Sequence, residues 1–374
     1  MAVGADGQLD VVEILDQLAP LRYLTLNDHA HRHGSLPMRP RVALTSVLIV
    51  VSLLAFAAPV FAARPSAAAA ERARILSYWT PARIAAATPR DFSFDAVRGL
   101  SLSHVVPKAK PGSGGGSTVT GASWPNGKGK IYTASGRVVF TMDGSDWICS
   151  GSVVTDNRSG YSIVLTAGHC AYDETANGAA SGFATNWMYI PQFDSNPTYT
   201  CANTAYGCWT AQALVIHRGF ATAGSFNTEA TVHDWAFAVV GPGGKTGSAS
   251  LEALGTFGLS TSAVANNTSV GAFGYPAAGK YHGQDLTYCA GPVGRDPLND
   301  NLTYRLGCDM TGGSSGGPWL APFDGSGNSG QLSSLNSYGY SGIRAMHGPV
   351  FNSQTATTFS TASSSGTTSN TIVP

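Results

Sequence analysis

The chain has 374 residues, of which 43% are hydrophobic and only 12% are charged, and its formal net charge at neutral pH is zero. This composition excludes a collagen, a coiled coil and bulk disorder. The 45 glycines favour a turn-rich β architecture, in one large domain or two small ones.

The N-terminal part has the layout of an export signal. Residues 42–63 contain no charge, follow Arg39 and Arg41, and end in small residues suited to cleavage. We predict a signal peptide over residues 38–63, and Met38 could serve as the start, so that residues 1–37 are an extension that need not belong to the natural protein. An uncleaved signal anchor is the alternative, because the run is long enough to cross a bilayer. After cleavage we expect no stable membrane insertion.

Charge is divided between the two following regions. Residues 64–134 carry 10 Lys and Arg against 3 Asp and Glu, whereas residues 135–374 carry 8 against 14. The acidic region argues against nucleic acid or an anionic membrane as a partner, because binding phosphate needs clustered positive charge. An Ala-rich start and the Gly/Ser-rich residues 111–117 predict a basic prosegment with a flexible linker over residues 64–134.

Short runs of β-branched and aromatic residues, separated by turn residues, fill residues 135–351. About a dozen such runs without helical patterns between them predict an all-β barrel or sandwich. Residues 353–374 contain 13 Ser and Thr, so we predict that the tail over residues 352–374 is disordered.

The six cysteines all follow residue 135. In an exported protein they are more readily disulfides than metal ligands. Six cysteines allow about 15 pairings, and the pairing of sequence neighbours is one of them. That pairing joins Cys149 to Cys170, Cys201 to Cys208, and Cys289 to Cys308.

Three segments carry residues suited to acyl transfer. His169 follows a strand-like run in Leu165-Thr-Ala-Gly-His-Cys170, Asp234 precedes an apolar run, and Ser315 is flanked by glycines in Gly312-Gly-Ser-Ser-Gly-Gly-Pro318. Acyl transfer needs a hydroxyl nucleophile, a general base, an orienting carboxylate and free backbone N–H groups. We expect neither a metal nor a cofactor, since His29, His31 and His33 lack Cys or carboxylate residues at ligand spacing.

Each segment also has a simpler interpretation as a structural histidine, a turn aspartate or a glycine linker. The stretch Gly313–Gly317 further fits the nucleophile elbow of α/β-hydrolases. That fold requires a helix after the serine and the order Ser, acid, His, whereas Pro318 follows closely and His169 and Asp234 precede.

Together, the three segments resemble the trypsin/chymotrypsin family of serine endopeptidases over about residues 135–351. The resemblance implies two six-stranded antiparallel β-barrels with the catalytic groups in the cleft between them. It implies Ser315 as nucleophile, His169 as general base and acid, Asp234 as orienting carboxylate, and the backbone N–H groups of Gly313 and Ser315 as the oxyanion hole. It also pairs Cys149 with Cys170.

The resemblance extends to substrate binding, where the chain departs from trypsin in part. Ser337, Tyr338 and Gly339 resemble the strand that pairs with the substrate backbone. Asp309 lies six residues before Ser315, where trypsins carry the carboxylate that selects Arg or Lys. A buried structural acid is the alternative, because Cys308 departs from the trypsin disulfide spacing. Bacterial extracellular peptidases, including relatives of glutamyl endopeptidases, are the more similar group, although Asn336 stands where a glutamyl-specific relative would hold a His.

One departure concerns activation. Trypsins have an Asp immediately before the nucleophile, paired with a new N-terminus, and this chain has Ser314. We therefore expect maturation to release the chain's own prosegment, docked by opposite charge over the cleft, and a plain spacer is the alternative.

The sequence thus predicts a secreted serine endopeptidase acting on protein or peptide substrates. A catalytically silent exported binding module on the same fold is the alternative from another functional class.

Overall fold

The computed structural model describes residues 66–94, 120–193 and 200–374. All of them belong to one unit, Ala63–Pro374. The extension over residues 1–37, the whole predicted signal over residues 38–63 and the linker at residues 111–117 lie outside the described residues. None of the helices in the described ranges combines the length and the apolarity that a bilayer crossing requires.

Short helices surround a structure made mainly of strands, which confirms the predicted all-β class. The helices are α1 Ala67–Tyr78, α2 Pro81–Ala86, α3 Ile131–Ala134, α4 Arg218–Ala221, α5 Thr228–Val232 and α6 Ser353–Ser363. The strands are β1 Thr88–Pro89, β2 Phe92–Phe94, β3 Ala122–Ser123, β4 Ser135–Met142, β5 Ser145–Val154, β6 Ser162–Thr166, β7 Thr185–Pro191, β8 Trp209–His217, β9 Ala236–Val240, β10 Ser269–Gly274, β11 Thr287–Pro292, β12 Gly294–Arg295, β13 Tyr304–Gly307, β14 Pro318–Ala321, β15 Gln331–Leu335, β16 Tyr338–Tyr340, β17 Ala345–Gly348 and β18 Thr371–Val373. Short 3-10 turns occupy Gly168–Cys170, Glu174–Ala176, Ala180–Gly182, Leu251–Leu254 and Pro297–Asn299.

Six antiparallel strands close into a barrel in the first half of the domain. Their order is β4, β5, β6, β9, β8 and β7, and β7 pairs again with β4. Apolar residues such as Phe140, Leu165 and Phe237 are fully buried inside it. The turn between β4 and β5 holds Asp143 at φ 51° and Gly144 at φ 73°. This Asp-Gly pair supplies the two positive φ values that a tight hairpin needs.

The second half of the domain contains two five-stranded sheets. One has the order β15, β14, β10, β11 and β3, and the other has the order β12, β13, β17, β16 and β2. Val270, Tyr304, Leu306 and Trp319 from the two sheets share one buried cluster. The sheets therefore enclose a second core, which agrees with the expected pair of β-barrels.

Residues 64–134 contribute one strand to the sheet of the first barrel and one strand to each of the two five-stranded sheets. β1 runs parallel to β5, β2 runs parallel to β16, and β3 runs antiparallel to β11. Ile75 of α1, Ile84 of α2 and Trp79 between the two helices are buried. Residues 66–94 and 120–134 are thus folded onto the domain that the sequence delimits at residue 135.

The prediction of a disordered C-terminal tail is wrong. Asn352 caps α6 with a capping box that includes Thr355, and β18 pairs with β8 of the barrel. Thr358 and Thr361 donate to the carbonyls four residues earlier, at 2.8 and 3.0 Å. The helix buries Thr355, Thr358 and Ala362, and contact with the barrel offsets the low intrinsic helix propensity of these residues.

All six cysteines form disulfides between sequence neighbours. The pairs are Cys149–Cys170, Cys201–Cys208 and Cys289–Cys308. This confirms the predicted disulfide framework and selects one pairing among those that the sequence allows.

Candidate active site

His169 lies in a fully buried turn at the end of a barrel strand. β6 ends at Thr166, and the 3-10 turn Gly168–Cys170 carries the imidazole inward with no exposed surface. The Cys149–Cys170 disulfide ties this turn to β5. The turn forms here because small residues follow the apolar strand. Gly168 is one of them, and a side chain at this position would crowd the Phe220 ring, since a Cβ would lie 3.0 Å from it.

Asp234 lies beside His169 because α5 ends just before it and β9 begins just after it. Its Oδ1 accepts the main-chain N–H of His169 at 2.9 Å, and its Oδ2 lies 2.8 Å from Nδ1 of the imidazole. The Ser337 hydroxyl also donates to Oδ2, at 2.5 Å. The carboxylate is fully buried and has several donors, as a buried charge requires.

Ser315 lies in a glycine-rich loop between the two halves of the domain. Its main-chain carbonyl accepts from Ser150 N–H at 2.7 Å, and the Ser150 hydroxyl donates to the Gly313 carbonyl at 2.8 Å. Gly313 and Gly316 have φ values of 91° and 81°, which favour glycine. These contacts bring the Ser315 loop against strand β5, near the disulfide that anchors His169.

The Ser315 hydroxyl donates to a residue that the sequence analysis missed. Its acceptor is Oδ1 of Asp91, at 2.9 Å, and the Gly313 N–H lies close enough to favour the charged form of the same carboxyl group. Burial raises the pKa of Asp91 above its ordinary value, and these donors together with the nearby His169 offset the rise only in part. Nε2 of His169 is buried and has no hydrogen-bond partner among the described residues.

A local signal for Asp91 was present in the sequence. Phe92 and Phe94 alternate with Ser93, and alternation of this kind is typical of a strand buried on one face. Such a strand must pair with another strand through its backbone, and in the structure β2 pairs with β16, which places the preceding Asp91 at the cleft.

Solved structures with similar folds are serine proteases. One is a thermostable serine protease, AL20, from an extremophilic microorganism, which is 31% identical over 63% of this chain and 100% of that chain, with a TM-score of 0.53. Another is the protease Anisep from Arthrobacter nicotinovorans, at 34% identity over 65% of this chain and 99% of that chain, with a TM-score of 0.53. The chain belongs to the trypsin/chymotrypsin-like family of serine proteases. No family model and no curated protein matches its sequence.

Ser314, where trypsins have an aspartate, makes a local contact in this member of the family. Its hydroxyl donates to the carbonyl of Thr311 at 2.8 Å, within the loop that carries the nucleophile candidate. The loop is thus held by its own hydrogen bonds together with those from Ser150.

Asp309 is already paired at the edge of the cleft. Lys280 Nζ lies 2.7 Å from Oδ2, and the Tyr281 hydroxyl and the Gly121 N–H donate to Oδ1 at 2.5 and 2.8 Å. Burial tends to raise the pKa of Asp309, but these donors outweigh it and hold the pKa below its ordinary value. The geometry favours the structural alternative for this carboxylate over recognition of a substrate Arg or Lys.

Asn336 is fully buried behind the Ser315 loop. Its amide nitrogen donates to the carbonyls of Phe273 and Ser314 at 2.8 and 3.0 Å, and its oxygen accepts from Trp319 at 2.8 Å. Asn336 therefore stabilises the loop, and both the nitrogen and the oxygen of its amide are engaged in hydrogen bonds within the protein.

The predicted substrate strand, Ser337, Tyr338 and Gly339, borders a cleft of about 910 Å³ that also contains Ser315 and Asp309. Residues Asp91–Ser93 line the same cleft. A network beneath the strand holds Tyr338, whose hydroxyl donates to the buried Asp296 at 2.7 Å, as does that of Tyr340 at 2.9 Å. Ser315, Asp309 and the predicted substrate strand thus line one cleft, which Asp91–Ser93 of the same chain also line.

Proposed function

We propose that this chain is the precursor of a secreted serine endopeptidase that hydrolyses peptide bonds through an acyl-enzyme. The observation that carries the proposal is the double contact of Asp234 with His169, which engages Nδ1 and leaves Nε2 without a partner among the described residues. An imidazole held in this way keeps the tautomer in which Nε2 can accept a proton.

In the proposed reaction, Ser315 Oγ attacks the carbonyl carbon of the scissile peptide while its proton passes to Nε2 of His169. The C–N bond then breaks as His169 returns that proton to the leaving amine. Water repeats the same sequence on the acyl-enzyme and releases the acid, and Asp234 stabilises the imidazolium in both halves. Each step uses groups of this chain and water.

The oxyanion hole in this proposal consists of the backbone N–H groups of Gly313 and Ser315. The Gly313 N–H lowers the pKa of the nearby Asp91 carboxyl group by favouring its charged form, which supports the capacity of this N–H to bind a negative oxygen. The positive φ of Gly313 and the bond from Ser150 to its carbonyl orient this peptide. A preorganised donor of this kind stabilises charge that develops in the transition state.

Export and maturation are part of the proposal. Six paired cysteines are typical of proteins that fold in an oxidising compartment, which supports secretion directed by residues 38–63. We propose that residues 64–134 are a prosegment and that its basic charge docks it on the acidic protease domain until it is removed.

The test compares the secreted chain, after removal of the prosegment by limited proteolysis, with its Ser315→Ala variant. Both are incubated with a mixed peptide library, and cleavage sites are identified by mass spectrometry. We expect Ser315→Ala to lose about 10³-fold or more in rate, because the nucleophile is removed. Ser314→Ala is the matched control, since it removes a neighbouring hydroxyl that bonds to Thr311, and it should retain cleavage.

Two results would contradict the proposal. Cleavage by Ser315→Ala at the wild-type rate would show that another group is the nucleophile. If the processed wild type neither cleaves peptides nor reacts with a serine-directed phosphonate, the chain is instead an exported binding module on a protease fold.

A further inference from the structure

The segment Thr88–Phe94 occupies the candidate cleft. We propose that it lies there in the direction opposite to a substrate, and that the Asp91 carboxylate accepts the hydrogen bond of the nucleophile's hydroxyl beside the oxyanion loop and makes the segment an inhibitor that the enzyme cannot cut. This inference rests on the proposed function and specifies how the prosegment would act.

The contacts at the nucleophile carry the first step. The Ser315 hydroxyl donates to Oδ1 of Asp91 at 2.9 Å, and the nearby Gly313 N–H favours the charged form of the same carboxyl group. A Cβ built on Gly312 would overlap Oδ2 of Asp91, so the carboxyl lies directly against this loop. The group in contact with the nucleophile is a side-chain carboxylate, and a carboxylate is a poor electrophile with no leaving amine.

The direction of the segment follows from the strands on either side of Ser315. β16 borders the cavity that contains Asp309 and Met310, the position of the pocket for the acyl-side residue. A substrate must place its N-terminal residues along this side, because the leaving amine belongs to the residue that follows. Phe92–Phe94, which are C-terminal to Asp91, lie there instead, parallel to Tyr338–Tyr340.

The other end of the segment shows the same reversal. Thr88–Pro89, which precede Asp91, run parallel to Trp147–Ile148 of β5 in the first barrel, whereas β16 belongs to the second half of the domain. The chain therefore crosses the site with its N-terminal part on the leaving-group side and its C-terminal part on the acyl side.

Arg90 anchors the segment next to His169. Its guanidinium is 4% exposed, donates to the His169 carbonyl at 2.7 Å and to Glu174 at 3.2 Å, and lies 3.6 Å from a carboxylate oxygen of Asp173. A buried bond of this kind is stronger than an exposed one, because less water competes for the charges. The attraction between the basic segment and the acidic domain thus includes the ion pairs of Arg90 with Asp173 and Glu174.

Aromatic packing anchors the acyl-side end. The Phe92 ring stacks on Phe226 at 3.9 Å and meets His169 edge-on at 5.2 Å. The Phe94 ring packs against Tyr338 at 5.1 Å and Tyr340 at 5.8 Å. These rings cover the imidazole and the substrate strand, so Asp91 is held between two anchors.

The experiment measures how fast a fluorescent phosphonate labels Ser315 in the full secreted chain. The variants are Asp91→Ala, Asp91→Asn and the control Ser93→Ala, whose hydroxyl lies 3.3 Å from that of Ser341 and makes no hydrogen bond to another described residue. We expect Asp91→Ala to label about tenfold faster or more, since a charge-assisted hydrogen bond is lost, with Asp91→Asn intermediate. Ser93→Ala should label at the wild-type rate, and the wild-type segment should stay uncut in mass spectra.

Other results separate failure of this inference from failure of the proposed function. Self-cleavage between residues 88 and 94 would show that the segment binds as a substrate and would overturn the inference. The inference would also be overturned if Asp91→Ala is labelled at the wild-type rate while the double variant Phe92→Ala/Phe94→Ala is labelled faster. Inhibition would then come from the aromatic rings covering the site and not from the carboxylate. If no variant, including Arg90→Ala/Asp91→Ala/Phe92→Ala, labels above the Ser315→Ala background, the proposed function itself is wrong.

Discussion

Asp234 and His169 are joined by two hydrogen bonds, one to the main-chain N–H at 2.9 Å and one at Nδ1 at 2.8 Å. The first bond sets the position of the residue, and the second selects the tautomer of its ring. Both partners are fully buried, so neither bond competes with bulk water.

We predict that Asp234→Asn lowers phosphonate labelling of Ser315 by roughly 10⁴-fold, because an amide at this position favours the wrong tautomer. The comparison is made in the Asp91→Ala background, so that the segment does not mask the effect. Ser337→Ala, which removes one donor to Asp234, should cost far less. A loss below about tenfold for Asp234→Asn would show that His169 does not depend on this carboxylate.

Cleavage specificity should change when Asp309 loses its cation. In the wild type, Lys280 neutralises the carboxylate, so we expect no strong preference for cleavage after Arg or Lys. Lys280→Ala should raise cleavage after basic residues, because it leaves an uncompensated charge at the cleft. The peptide library read by mass spectrometry measures the change, and adding Asp309→Asn should reverse it. A wild type that already prefers Arg or Lys would contradict this prediction.

The C-terminal helix should contribute measurably to stability. Asn352→Ala removes the side chain that accepts from Gln354 N–H at 2.8 Å and Thr355 N–H at 3.3 Å. We expect the free energy of unfolding in urea to fall by about 1 kcal/mol. The exposed neighbour Ser353 provides the control, since Ser353→Ala should change stability by less than about 0.5 kcal/mol. Equal effects of the two changes would contradict the role of the cap.

Stability should fall in mild acid because of buried histidines. Burial lowers the pKa of His347 from 6.5 to about 4; Asp296 opposes this shift and Arg305 adds to it. Burial, together with repulsion from His233, also lowers the pKa of His217 to about 4. The folded protein therefore binds fewer protons than the unfolded chain between these values. Stability present above pH 6.5 is lost as the pH falls toward 4, on the order of 3 kcal/mol for a fully buried histidine.

Urea unfolding across this pH range measures the loss. His347→Gln should flatten the dependence, whereas replacement of the exposed His282 by Gln should leave it unchanged. The same slope in wild type and His347→Gln would show that other groups dominate.

The elements that the sequence predicted correctly are those encoded by nearby residues. Alternation and turn residues identified the β-rich region, and β-branched runs such as that before Thr166 became buried strands. The cysteines paired as sequence neighbours, with sequence separations of 21, 7 and 19. The short patterns around His169 and Asp234 marked two residues that the fold joins by hydrogen bonds, and the pattern around Ser315 marked a residue that lines the cleft.

The tail shows where composition misleads. Ser and Thr favour disorder when isolated, but here their hydroxyls satisfy helix carbonyls and Arg158 donates to the carbonyls of Ala362 and Thr367 at 2.8 and 2.7 Å. Arg158 lies about 200 residues earlier in the chain, so no local pattern contains this contact.

The sequence by itself determined the fold class, the cysteine framework and the residue types available for acyl transfer, because these depend on periodicity and on short motifs. Only the tertiary structure decided that Asp309 is held by Lys280 and that the Ser315 hydroxyl donates to Asp91, 224 positions away. The physical reason is that such contacts depend on how distant surfaces pack and which charges they bury together. Neither property can be computed from neighbouring residues alone.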